Sequence, residues 1–123
     1  MSNKKLIFIT FASEDTDQRD LLKQQSLHAN SPFEYVDMPE KEPYSAAWKE
    51  RVRAQIQQSD RVIALVSKNS LTSGGQKWEL SCAKEERKRV LGIWAYPNDR
   101  TKVDGVSTVV WSQETIEDFI NNI

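Results

Sequence analysis

Glu79 is the side chain in this sequence best placed to do chemistry. It follows a β-branched apolar run, Val62 to Val66, that is typical of a buried strand, and then a polar segment, residues 67–76, that contains two adjacent glycines. A helix is predicted to begin at residue 76, just before it. In an open α/β sheet such a segment lies at the carboxyl ends of the strands, where ligands bind. The alternative is a solvated acid at the start of a helix, a position that the helix dipole favours.

Other reactive or metal-binding side chains are few. Cys82 is the only cysteine and His28 the only histidine, which excludes a disulfide within the chain and a cysteine-based metal site. Cys82 precedes an alanine in a predicted helix and is interpreted as a packing residue. His28 lies near the end of another predicted helix and is interpreted as a surface or capping residue. The sequence therefore predicts no metal centre.

Length and charge exclude several classes of function. The 123 residues suffice for one domain, residues 1–123, and are too few for two. The 17 basic and 18 acidic residues give a net charge of −1 and are interspersed, so neither nucleic acid nor an anionic membrane is an expected partner. The apolar runs are too short to cross a bilayer, and the first residues lack the apolar core of a signal peptide. These features predict a cytoplasmic location.

Strand and helix patterns alternate along the chain, and Gly92 within the fourth strand pattern predicts the close approach of a neighbouring segment. The alternation predicts an α/β fold of three layers, in which helices cover both faces of a five-stranded parallel sheet in flavodoxin-like order. Strands are predicted at residues 5–10, 33–36, 61–66, 90–96 and 107–111, and helices at 17–29, 45–59, 76–88 and after an N-cap at Ser112, the last with a packed stripe that includes Ile116, Phe119 and Ile120.

The usual ligands of such a fold can be tested at the strand ends. The segment after the first strand, residues 11–17, has no glycine and carries three carboxylates, which disfavours FMN, ATP and a Rossmann-type NAD site. The third strand ends in Val66, Ser67 and Lys68, so the aspartate of a phosphoacceptor domain is absent. The carboxyl edge of the sheet therefore presents acids, hydroxyls and aromatic rings.

The chain resembles a Toll/interleukin receptor (TIR) domain of the bacterial, TIR-like kind found in Thoeris anti-phage systems. The matching stretches follow the order of that family over residues 5–96. They are residues 7–15 with Arg19, residues 33–37, residues 48–60, residues 62–67, residues 73–83 around Trp78, Glu79 and Leu80, and residues 91–93.

The resemblance implies a role for Glu79 and a set of substrate contacts. In catalytic members a glutamate in this context is required to break the nicotinamide–ribose bond of NAD, so NAD is expected as substrate, with no cofactor and no metal. Aromatic rings at Phe11, Trp48 and Trp78 could stack on adenine or nicotinamide, although core packing is the alternative for each. The residues expected to bind substrate are Phe11, Ala12, Ser13, Asp37, Trp48, Ser73 and Trp78.

Two functions therefore stay open at the level of sequence. The first is an enzyme that releases nicotinamide and forms ADP-ribose, a cyclic isomer or another ADP-ribosyl signal in antiviral defence, with a downstream effector that senses the product. The second is a non-catalytic signalling module that acts by self-association through residues 37–43 and the third helix. A regulatory domain for an unknown ligand is a third alternative. TIR–TIR contacts are expected in the first two cases.

Overall fold

A computed structural model describes residues 5–26, 33–36 and 45–121. The predicted α/β fold is confirmed: five parallel strands form one sheet in the order β2-β1-β3-β4-β5. The strands are β1 (Lys5–Thr10), β2 (Phe33–Val36), β3 (Arg61–Val66), β4 (Val90–Trp94) and β5 (Thr108–Val109), and the helices are α1 (Thr16–Ser26), α2 (Ala46–Gln58), α3 (Gly74–Glu85) and α4 (Gln113–Asn121), with short 3-10 turns at Ser13–Asp15 and Lys68–Leu71.

Successive side chains of the central strands point to opposite faces of the sheet, and this divides the core into two clusters. Ile7 and Ile9 of β1 pack in the cluster that also holds Leu22 of α1 and the Ile116 and Ile120 pair of α4. The intervening Phe8 packs on the opposite face, in the cluster formed with α2 and α3. All six residues of β3 are buried, as expected of a strand covered on both sides. The predicted packed stripe of α4 is confirmed, because Ile116 and Ile120 are fully buried.

Helix α2 follows its predicted bounds closely. The prediction was residues 45–59, and the structure places Ser45 and Ser59 as the two caps. The Ser45 side chain accepts a hydrogen bond from the Trp48 backbone N–H at 3.0 Å. Trp48, Val52 and Ile56 form the buried stripe that their spacing predicts.

The start of α3 was predicted two residues late. The structure begins this helix at Gly74, and the Ser73 side chain caps it by accepting a hydrogen bond from the Gln76 backbone N–H at 3.1 Å. Two glycines are typical of a turn, but here the serine cap and the packing of Gly75 hold them in the first helical turn. Glu79 consequently lies in the second turn of α3 and not at its start.

The other differences concern the ends of elements. Helix α3 ends at Glu85 rather than residue 88, β4 ends at Trp94 rather than residue 96, and β5 comprises only Thr108–Val109. Helix α1 begins at Thr16, whereas its predicted end at residue 29 and His28 lie outside the described residues. Strand β5 is an edge strand, and its short pairing with β4 is typical of a sheet edge.

The predicted close approach at Gly92 is confirmed. A Cβ atom on this residue would lie 2.6 Å from Thr108 Oγ1 and 2.8 Å from Val106 Cγ1. The Gly92 backbone N–H also donates to the Ser107 carbonyl at 2.8 Å. The absence of a side chain therefore allows the segment that leads into β5 to lie directly on β4.

Candidate active site

Glu79 and Thr10 form a buried hydrogen-bonded pair at the carboxyl edge of the sheet. Thr10 is the last residue of β1 and lies on the same face as Phe8, toward α3. Its hydroxyl donates to Glu79 Oε1 at 2.7 Å. Thr10 is fully buried and Glu79 is 5% exposed. Glu79 is thus a held carboxylate inside the protein, and the alternative of a solvated acid at a helix start is wrong.

Gln76 lies one turn before Glu79 and joins the ends of two strands. Its side-chain Nε2 donates to the Leu65 carbonyl at 2.9 Å and to the Thr10 carbonyl at 3.2 Å. The residue is 1% exposed, and its Oε1 has no hydrogen-bond partner among the described residues. Gln76 therefore fixes the start of α3 against β1 and β3, and with it the position of Glu79.

A second buried carboxylate, Asp15, organises the neighbouring loops. Its Oδ2 accepts from the Ser67 hydroxyl at 2.6 Å, and its Oδ1 accepts from Asn69 Nδ2 at 2.9 Å and from the Tyr96 hydroxyl at 2.8 Å. Burial, followed by this bond to Asp15, raises the pKa of Tyr96 to about 12. One carboxylate thus ties together the segments that follow β1, β3 and β4.

Trp48 and Trp78 pack against each other on the α2 and α3 face. Their ring centroids are 5.7 Å apart with the planes tilted by 55°. Trp48 is 1% exposed, and Trp78 is half-buried with the cations of Lys49 and Arg53 at 5.8 and 5.7 Å from its ring centroid. The structure therefore places both rings in the packing between α2 and α3, which is the core alternative stated for each.

Arg53 connects the same two helices through ion pairs. Its guanidinium donates to Glu86 Oε2 at 2.6 Å and to Glu85 Oε1 at 2.8 Å. The hydrogen bond from Arg53 is the largest influence on Glu86 and lowers the pKa of that carboxyl. One of these pairs is exposed and the other is partly buried, and both connect α2 and α3 at the end remote from the cap at Ser73.

Phe11, the first of the predicted contacts after β1, lies on the other face. Phe11 is partly buried against the cluster beneath α1 and α4, and the Arg19 guanidinium lies 4.9 Å from its ring centroid. Ala12 is fully buried and Ser13 is exposed. Since Phe11 and Trp78 belong to opposite faces, a ligand that touched both would have to cross the edge of the sheet.

The structure therefore brings together part of the predicted set. Glu79 and Trp78 lie on α3, which Ser73 caps. The bond from Thr10 attaches this helix to the strand that leads into residues 11–13. Asp37 lies outside the described residues. Three further polar residues shape this edge and were not predicted from the sequence, namely Thr10, Gln76 and Asp15.

Other kinds of site find no support in the described ranges. Residues 5–26, 33–36 and 45–121 contain no group of three histidine, cysteine or acidic side chains that could hold a metal ion. No helix in these ranges is long and apolar enough to span a membrane. Cys82 is 1% exposed, and burial is the main reason why its thiol pKa is raised, so it packs as predicted.

A comparison with known protein families identifies the chain. The family described as "TIR domain" matches residues 7–119. The match runs from the third residue of β1 into α4 and includes every residue of the site just described. A search of curated proteins finds no match to the chain. Because the match covers nearly the whole sequence and the sheet order agrees with it, the chain belongs to the TIR domain family.

Proposed function

We propose that this TIR domain consumes NAD and that Glu79 is its catalytic carboxylate. The observation that carries the proposal is the burial of Glu79 at the carboxyl edge of a parallel sheet, with its side chain oriented by the Thr10 hydroxyl. A structural acid at the surface would need neither feature. TIR domains can serve as NAD-cleaving enzymes or as signalling modules, and this arrangement favours the enzyme.

The proposed chemistry is heterolysis of the nicotinamide–ribose bond. The bonding electrons leave with the nicotinamide nitrogen, which becomes neutral, and positive charge develops on the ribose as an oxocarbenium-like species. A carboxylate held in a water-poor site stabilises that charge more strongly than one in bulk water. Water then adds to the ribose carbon and loses a proton, which gives ADP-ribose. Attack by a nucleophilic atom of the same ADP-ribose gives a cyclic isomer instead.

Each neighbouring side chain has a defined task in this proposal. Thr10 orients one carboxylate oxygen, and Gln76 fixes the helix turn that carries Glu79. Asp15 holds the segments that follow β3 and β4 at the same edge of the sheet. The proposed biological setting is bacterial anti-phage defence of the Thoeris type, in which the ADP-ribosyl product signals to an effector.

The decisive experiment compares wild type with Glu79→Gln in an assay for nicotinamide release. The substitution keeps the size of the side chain and its ability to accept from Thr10, but removes the charge. We expect a loss of activity on the order of 100-fold or more, with the melting temperature little changed. Gln24→Glu, outside the site, is a matched control for the exchange of the same two side chains. Equal turnover by wild type and Glu79→Gln would show that Glu79 is not the catalytic group.

A further inference from the structure

A large cavity lies on the side of α3 that faces away from Glu79. It is an open groove with a volume of about 630 Å³, lined by α3, the start of β4 and the segment that leads into β5. Residues 95–107, which join β4 to β5, contain no helix, so this side of α3 is left open. Four residues of α3 line it at helical spacing, namely Lys77, Leu80, Ser81 and Lys84.

The charge of this groove differs from that of the whole chain. Four cations and a single acid, Asp104, line it, whereas the chain as a whole has a net charge of −1. Apolar side chains line the groove as well. The cations are Lys77, Lys84, Arg87 and Lys88, and the apolar lining residues are Leu80, Val90, Val103 and Val106.

Arg87 occupies a backbone conformation that favours glycine. Its φ of 58° is the only positive φ of a non-glycine residue in the described part of the chain. The helix ends there in a Schellman arrangement, in which the Arg87 N–H donates to the Lys84 carbonyl at 3.0 Å and the Lys88 N–H donates to the Ala83 carbonyl at 2.9 Å. The chain thus carries a cation of the groove at a position where glycine would be free of steric penalty.

The arrangement of the cations indicates what the groove binds. Lys77 lies in the first turn of α3 and Lys84 in its last, and Arg87 and Lys88 follow the end of the helix. The cations are therefore spread along the helix and are not gathered at its amino end, where a compact phosphate would bind. The Lys88 ammonium also donates to the Gln57 carbonyl at 3.1 Å, which holds it in place. Carboxylates spaced along an extended or helical segment match this distribution, and the valines and leucine that also line the groove match apolar side chains. We propose that the groove binds an acidic, partly apolar segment of a partner protein.

The direct test uses a labelled synthetic peptide of about a dozen residues in which glutamates are interspersed with leucines. We expect saturable binding to the wild-type protein that weakens when salt is raised, because the contacts are exposed ion pairs. A peptide with glutamine in place of glutamate should bind at least about tenfold more weakly. Lys84→Gln should weaken binding several-fold, whereas Arg51→Gln, an equal loss of charge on the exposed face of α2, should not.

Arg87→Gly separates binding from folding. The variant should raise the melting temperature, because it relieves the left-handed backbone, and at the same time weaken peptide binding several-fold. A folding defect cannot produce both effects. Three results would each overturn the proposal: equal affinity of wild type and Arg87→Gly for the peptide, preferential binding of inorganic triphosphate, or self-association that Lys84→Gln abolishes, since the last identifies a second copy of the chain as the occupant.

Discussion

Replacement of Thr10 by valine is the perturbation that most directly probes the candidate site. Valine keeps the shape of the side chain and removes the hydroxyl that donates to Glu79 Oε1 at 2.7 Å. A hydrogen bond to a charged group contributes about 1.5–3 kcal/mol, and both partners are buried here. We therefore expect Thr10→Val to lower the free energy of unfolding by about 2 kcal/mol. Misplacement of the carboxylate should also reduce nicotinamide release by roughly tenfold to a hundredfold.

Two further variants show whether the hydrogen bond itself is responsible. Thr10→Ser keeps the hydroxyl and loses one methyl group, so it should lower the free energy of unfolding by only about 1 kcal/mol and retain most of the activity. In a double-mutant cycle, Thr10→Val is combined with Glu79→Met, which removes the acceptor but keeps the length of the side chain. Denaturant unfolding of the four proteins should give a coupling energy of about 1.5–3 kcal/mol. A coupling below about 0.5 kcal/mol would refute the view that this bond holds Glu79.

Four other predictions concern the core, the sheet edge, the Asp15 network and assembly. Ile120→Ala should lower the free energy of unfolding by about 2–5 kcal/mol without changing activity per folded molecule, and an unchanged melting midpoint would mean that the α4 face is not core. Gly92→Ala should destabilise by about 1–3 kcal/mol, since its Cβ would lie 2.6 Å from Thr108 Oγ1; wild-type stability would contradict the close approach. The pKa of Tyr96 is raised to about 12, above its ordinary 10.0, so its contribution to stability is present below pH 10 and lost as the pH rises through 12. Over this range the melting temperature should therefore fall less with pH for Tyr96→Phe than for wild type, and an equal fall would show that Tyr96 makes no such contribution. Nicotinamide release per monomer should rise with protein concentration, because a domain of 123 residues has few loops with which to enclose a dinucleotide and a neighbouring copy could complete the pocket; constant specific activity on dilution would show that one chain holds a complete site.

The strands and the α2 helix were predictable because their patterns are local. Strands β1 and β3 are apolar runs that end at polar residues, and both have the bounds that were predicted. The four-residue recurrence from Trp48 to Ile56 defines the buried stripe of α2. The carboxyl-edge position of Glu79 follows from the order of these elements alone. The fold and the region of the candidate site could therefore be predicted from local sequence patterns alone.

The partners of the buried acids were not predictable in the same way. Residues 11–17 contain three carboxylates of similar appearance, and only the folded chain shows that Asp15 is the buried one. Its three donors lie 52, 54 and 81 residues further along the sequence. The start of α3 was misplaced for a related reason, since whether a pair of glycines forms a turn or enters a helix depends on the cap and on packing. Which acid is buried and where the helix begins are therefore decided by tertiary contacts, which local sequence patterns do not contain.

The role of Thr10 could be predicted in part from the sequence. The alternation of β1 places it on the face toward α3, and its position as the last residue of the strand places it at the edge where Glu79 lies. A hydroxyl that ends an apolar run on the same face as a candidate carboxylate is thus a signal that can be found in the sequence. The aromatic residues offer no such signal, because a tryptophan at position 48 or 78 is equally typical of a ring that stacks on a ligand and of a ring that packs in the core. Because the two rings pack against each other between α2 and α3, the polar pair of Thr10 and Glu79 is the feature on which the proposed catalytic function depends.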